Sequence, residues 1–348
     1  LPAQRPLVRS ENVLEKLGVH LRWSIDERRM VSELTSKIDL DHSIIHIDLG
    51  FWQSFTTLFR LSLKTSVFVT IHTALPDVAV WRKLVWKVKG GLLSRLKNFH
   101  LLASNEDAKR SLLPYLSPAK YAEIEVAYSG FDCSEITRIV EAGNHRSSIC
   151  ERYGIEPNRS LVVSLGQFIE RKGCWTVLEA LQELKKRSPD FLFIWLGTTV
   201  PDAATRSKID SYDLSDSFRL LTAEDIGKSR DDVLNLLNAA DIFVLASLQE
   251  GLPIALVEAM VLGKPCIATR INAVPEAIED GVNGLLVEPG NALQLADAIQ
   301  TLVDQPELRG RLGSNASKKA LASFDARHGA DITVRSYARA FADRQQAK

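Results

Sequence analysis

The chain lacks most of the features that would commit it to a well-marked function class. Its four cysteines, Cys133, Cys150, Cys174 and Cys266, are scattered, with no Cys-x-x-Cys pair and no His/Cys spacing suited to a metal. They read as buried or incidental thiols of a reducing compartment, not as a disulfide framework. With 43 basic and 43 acidic residues the formal net charge is +0, so nothing general draws the chain to nucleic acid, and no recognition motif does so locally. No apolar run reaches the roughly 18 residues of a membrane-spanning helix, no signal peptide opens the chain, and there is no internal repeat or low-complexity tract. The expectation is a cytoplasmic globular protein. Its 348 residues, 45% hydrophobic and 25% charged, exceed one ordinary core and fit two domains.

What the chain does have is alternation. Short β-branched runs (residues 18–23, 43–48, 66–72, 99–104 and 123–129) are separated by polar-apolar stretches, with Asn105 and Asp107 placed as helix-start residues. After a polar segment a second series follows at 161–166, 191–197, 216–221, 241–247, 265–270 and 284–289. Between its first two runs, apolar residues at 177, 178, 181 and 184 mark one face of a helix. This is the pattern of doubly wound α/β domains with parallel sheets. It predicts a domain over 1–143, a second over 144–325 and a closing segment over 326–348. Ligands of such folds sit at the carboxyl ends of the strands, which predicts a cleft between the domains as the site.

The stretch LASLQEGLPIALVEAMVLGKPCIAT, residues 245–269, carries the chemistry. A buried strand ends in the loop LQEGLP, and Pro253 suits the first turn of the helix that follows, which Gly263 can terminate. Free N–H groups at residues 252–255 would form an anion site favoured by the helix dipole. Gly251 lets the backbone approach a ligand without a Cβ in the way. Glu250 and Glu258 could then accept hydrogen bonds from hydroxyls on either side of an anion, as a sugar–diphosphate–nucleoside requires. Spacing alone leaves a second reading open, with Glu250 as a helix cap and Glu258 as a solvated helix residue. A glycosidase pair fits less well, because two carboxyls flanking one helix start are poorly placed to face each other across a sugar at about 5–9 Å.

The block EGLPIALVEAMVLGKPCIATRINAVPEAIEDGVNGLLVEPGN, residues 250–291, strongly resembles the retaining glycosyltransferases of family 4. Glu250 and Glu258 match their E-x7-E motif. VSLGQFIERKGCWTVLEAL (163–181) looks like their diphosphate-holding strand, loop and helix. VTIHTALP (69–76) looks like the strand ending in a histidine, and VAYSGFD (126–132) like the interdomain segment. The resemblance implies a GT-B fold: two Rossmann-like domains facing across a cleft, with the C-terminal helix, about 326–345, crossing back to the first. It further implies that Glu258 binds the donor ribose and Glu250 the hydroxyls of the transferred sugar. The stretch Gly251, Leu252, Pro253 and Ile254 would hold the diphosphate together with Lys172, beside Gly166, Gln167 and Arg171. The resemblance implies that His72 would reach the sugar from the first domain; on the residues alone the strand-end histidine is the favoured reading. Catalytic roles fall to Glu250, His72 and Lys172, with front-face attack assisted by the leaving phosphate.

No metal or other cofactor is expected. Cations and amides at the loop would stabilise the departing UDP or GDP, and the Asp-x-Asp triplet Asp39–Leu40–Asp41 lies away from the donor motif. The sequence departs from the family in three places. Gln167 stands where the loop commonly has arginine, with Arg171 nearby to compensate. Ser129 replaces the usual asparagine before Gly130. The chain opens in the helical stretch SENVLEKL (10–17), without the strand and glycine-rich loop with which the family usually begins. Residues 78–98 hold six Lys or Arg and no acid, with Trp81, Leu84, Val85 and Val88 on one helical face. That face either packs on its own sheet or seats the protein peripherally on the anionic inner face of the cytoplasmic membrane. The partners expected are a nucleotide sugar and a glycan or lipid-linked saccharide acceptor of cell-surface polysaccharide or lipopolysaccharide synthesis. Two other functions stay open: another GT-B activity such as a disaccharide synthase, and a non-catalytic GT-B binding subunit.

Overall fold

A computed structural model of the protein describes residues 26–27, 29, 31–33, 35–47, 52, 54–143, 146–187, 190–227 and 229–346. The strand expected over 18–23 and the helix over 10–17 lie outside them. The chain divides into two units. The first takes in the described residues up to Ser104, residues 108–126 and those from Ile332 on; the second takes in Asn105–Asp107 and Ala127–Asp331. The division after Val126 falls ahead of the boundary expected at 143, because Cys133, Ile136 and Ile139 are buried in the second unit's core.

In the first unit four parallel strands lie in chain order: β1 (Ile44–Ile47), β2 (Ser66–Ile71), β3 (Phe99–Ala103) and β4 (Glu125–Val126). Side chains of a strand alternate between faces. Val67 and Val69 of β2 therefore pack with Phe99 and Leu101 of β3 against Leu58 and Leu61 of helix α1 (Phe55–Ser62) and Leu93 of α2 (Val80–Leu93). Phe68 and Leu102 turn the other way, onto the helix Ala326–Gln346. From Ile332 on, that helix belongs to the first unit: Tyr337 meets Phe68 edge-on at 4.8 Å, and Arg344 donates to the carbonyl of Leu40 at 2.9 Å.

Helix α2 turns Trp86, Gly90 and Leu93 inward. Trp86 stacks on Trp52 at 5.2 Å, and a Cβ on Gly90 would lie 2.1 Å from the carbonyl oxygen of Tyr115, so only glycine permits that approach. The opposite face leaves Val80, Trp81, Leu84, Val85, Val88 and Leu92 exposed.

The second unit has six parallel strands in the order β10-β9-β8-β5-β6-β7. They are β5 (Ser160–Leu165), β6 (Phe191–Gly197), β7 (Phe218–Thr222), β8 (Ile242–Leu245), β9 (Cys266–Thr269) and β10 (Leu285–Val287). Leu161 and Val163 face one core, shared with helices α3 (Cys133–Glu141), α5 (Arg230–Ala239) and α6 (Ile254–Val261); Val162 faces the other, shared with α4 (Cys174–Lys185) and α7 (Ala292–Asp304). Val177, Leu178, Leu181 and Leu184 of α4 are fully buried, each stabilising the fold by about 1.5–3 kcal/mol. From β5 the chain winds outward through β6 and β7, then crosses back to lay β8 on the other side of β5. Strand order reverses there, which opens a crevice at the carboxyl ends of β5 and β8.

Candidate functional site

The two loops that leave those strand ends are locked together. After β5 the chain turns through Gly166, whose φ of +144° suits glycine and whose carbonyl accepts the indole N–H of Trp195 at 2.9 Å. A short 3₁₀ turn, Glu170–Lys172, then ends on Gly173 at φ +74°. A Cβ on Gly173 would lie 1.9 Å from the carbonyl oxygen of Ala246, which follows β8. The N–H of Leu248 donates to the carbonyl of Arg171 at 2.8 Å, and the Arg171 guanidinium donates to the carbonyl of Gln249 at 3.2 Å. Arg171 and Gln167 are exposed.

This contact brings Lys172 Nζ to 2.5 Å from Glu250 Oε1, with both side chains largely shielded at 19% and 10% exposure. The Ser247 hydroxyl donates to the same oxygen at 2.7 Å, and the Glu250 N–H donates to Asn272 Oδ1 at 3.2 Å. Glu250 therefore does not cap a helix. No side chain caps α6, whose N-cap Pro253 is extended at φ −74°, ψ 120°. Pro253 has no N–H, so the donors at this helix start come from Gly251, Leu252, Ile254 and Ala255. At the far end, Gly263 at φ +70° donates to Met260 O and Lys264 donates to Ala259 O, each at 2.9 Å, the Schellman arrangement.

Glu258 is buried at 4% exposure, not solvated. Burial pushes its pKa up, and Arg230, with Nη2 2.7 Å from Oε1, opposes that shift. His72 belongs to the first unit, exposed just after β2, and its carbonyl accepts the Ser104 hydroxyl at 3.0 Å. The Asp39–Asp41 triplet is taken up locally: Asp39 pairs with His42 at 2.7 Å and Asp41 with Arg344 at 3.0 Å. Among the described residues no group of three His, Cys, Asp or Glu could hold a metal ion. All four cysteines are free and buried, and burial pushes the Cys133 and Cys174 thiols up to about 11.

Sequence reasoning placed Gly166, Lys172, Glu250, Gly251, Leu252, Pro253, Ile254 and Glu258 in one neighbourhood, and the second unit holds all of them. It missed Arg230, Ser247 and Asn272. Ser247 and Asn272 lie within the quoted stretches but carry no motif signal of their own, and Arg230 comes from a separate helix that no spacing rule links to the E-x7-E motif.

Two parallel-sheet units of this kind define the GT-B fold. A glycosyltransferase from Rickettsia africae matches with a TM-score of 0.74 at 19% identity, over 95% of this chain and 83% of that one. Anabaena Alr3699/HepE, solved in complex with UDP, matches with a TM-score of 0.74 at 19% identity, over 89% and 82%. The chain belongs to the family Glycosyl transferases group 1, which matches residues 146–319, half of its length. Its relatives include an alpha-D-kanosaminyltransferase of Streptomyces kanamyceticus, 30% identical over 51% of this chain and 45% of that protein. A second is the lipopolysaccharide core biosynthesis glycosyltransferase LpsE of Rhizobium meliloti, 32% identical over 47% and 45%. The chain thus spans about half the length of the curated relatives it matches.

Proposed function

We propose that the protein is a retaining glycosyltransferase that needs no metal ion. It moves a sugar from a nucleoside-diphosphate donor to a glycan or lipid-linked saccharide of cell-surface polysaccharide or lipopolysaccharide assembly. One observation carries the reading: the uncapped start of α6 opens beside Lys172 and Glu250, where the strand order reverses. The diphosphate takes the amides and Lys172, which frees Glu250 for the hydroxyls of the transferred sugar. Glu258 receives the ribose. Fixed donors stabilise the charge that grows on the departing phosphate without the reorganisation water would need. UDP is the first nucleotide to try, since it is the one bound in the Anabaena neighbour.

A second observation extends the reading to an anionic membrane. The outward face of α2 presents six large apolar side chains, with Arg82 and Lys87 exposed on the same helix; Lys83 pairs with Asp77 at 2.5 Å and Lys89 turns inward to the carbonyl of Trp52 at 3.0 Å. Packing on its own sheet is therefore not what that face does. A basic amphipathic helix with tryptophan at its edge binds at the interface of anionic lipid, which would bring the site to a lipid-linked acceptor. No helix among the described residues is long and apolar enough to cross a membrane.

Calorimetric titration with UDP, GDP and ADP, with and without EDTA, tests the donor site. One nucleotide should bind on the order of micromolar, unaffected by EDTA and weakened by Glu258→Ala. Binding of none of them would overturn the reading.

A further inference from the structure

Arg230 is the first residue of α5, a helix started by a capping box: the Ser229 hydroxyl accepts the Asp232 N–H at 3.1 Å, and Asp232 Oδ2 accepts the Ser229 N–H at 3.2 Å. A helix N-terminus carries partial positive charge, so an arginine there has the wrong sign for the helix. Its neighbours account for it instead. Its Nη2 lies 2.7 Å from Glu258 Oε1, and its Nε donates to Glu135 Oε2 at 3.1 Å. The guanidinium carbon lies 6.0 Å from the centre of the Phe131 ring. One half-exposed cation thus bridges carboxylates from α3 and α6.

We propose that Arg230 is a positioning residue of the nucleoside site, holding Glu258 ionised and aimed so that it accepts the vicinal hydroxyls of a ribose. The inference rests on the donor reading above. A protonated Glu258 would carry a donor O–H and lose acceptor capacity, which a vicinal diol needs from both of its hydroxyls. The charged groups facing Glu258 from the packed elements are Arg230 of α5 and Glu135 of α3. Burial and Glu135 both favour the protonated acid, so Arg230 alone opposes them. Glu135 also fixes the guanidinium from its far side and so sets the direction in which Arg230 meets Glu258.

The test pairs two readouts on wild type, Arg230→Gln and Arg230→Lys. Carboxyl-labelled glutamate NMR follows the Glu258 titration, and calorimetry follows UDP affinity from pH 5.5 to 8. In Arg230→Gln the Glu258 midpoint should rise by a unit or more, and UDP affinity should fall about tenfold per pH unit below it. Any acid weakening of wild type should set in at lower pH than in Arg230→Gln, and Arg230→Lys should restore most of the wild-type profile. Equal weakening at every pH would mark a merely structural role and overturn the proposal, as would an unmoved midpoint. If wild type binds no UDP, GDP or ADP, the donor reading fails and takes the nucleoside role with it. The carboxyl titration then still decides whether Arg230 keeps Glu258 ionised.

Discussion

Lys172 Nζ and Glu250 Oε1 lie 2.5 Å apart although they come from loops that follow different strands. The glycine contact between those loops places the lysine, and the ion pair closes over it. Lys172→Met should leave the Glu250 carboxylate short of a partner and destabilise the fold by about 1–3 kcal/mol. It should also lower turnover by about 10²–10³ by removing the cation from the departing phosphate. Glu250→Gln, nearly isosteric, should bind the nucleotide at least as tightly as wild type and lose turnover. Comparing nucleotide titrations with sugar-release assays checks both; equal loss of binding in the two variants would sink this division of roles.

Gly173→Ala tests the loop contact itself. The new Cβ would sit 1.9 Å from the Ala246 carbonyl at a backbone φ of +74°. Both the clash and the left-handed backbone penalise it, so urea unfolding should show a loss of at least about 2 kcal/mol. Gly281→Ala has no atom within 4 Å of its new Cβ and shares a positive φ of +72°. It should cost less, which separates the clash from the backbone strain.

The outward face of α2 makes a prediction about vesicles. Co-sedimentation with vesicles of anionic phospholipid should be strong, weak with zwitterionic ones, and reduced by salt. Trp81→Ala with Leu84→Glu should abolish it at unchanged thermal stability. Trp86→Ala, on the inward face against Trp52, should instead lower stability by about 3 kcal/mol. Equal sedimentation with both vesicle types would remove the electrostatic argument.

His100 should shape the acid limb of stability. It stacks on Phe68 at 4.6 Å, and burial, helped by Lys120, pushes its pKa down to about 4. The unfolded side chain takes its proton near 6.5, so the folded state holds fewer protons between those values. The stability linked to this group is therefore present above about pH 6.5 and lost as pH falls toward 4, amounting to about 2–3 kcal/mol. His100→Gln should flatten that limb in urea titrations at stepped pH, and an unchanged slope would contradict it.

How much of this was legible in the sequence depended on how local each signal was. Strands buried on both faces are continuous apolar runs, and Phe191–Gly197 is buried throughout within the limits its letters suggest. The edge strand β4 keeps only Glu125–Val126 of the seven residues expected, because it has a neighbour on one side alone. In α2 the larger apolar face drew attention, yet the packing face is Trp86, Gly90 and Leu93, betrayed only by a glycine at helical spacing between two large residues. The E-x7-E carboxylates could be read directly from their motif. Their cations could not be read alike: Lys172 came from its own loop motif, whereas Arg230 reaches Glu258 only because α5 and α6 pack on the same sheet face.

The short tether between Lys172 and Glu250 also bears on how a turnover would end. A carboxylate fixed beside the lysine acts as a competing anion at a high effective concentration. If the proposed roles hold, Glu250 would lose its sugar hydroxyls after transfer and return to Lys172, competing with the spent nucleoside diphosphate. On that reading, product departure should slow when Glu250 is neutralised.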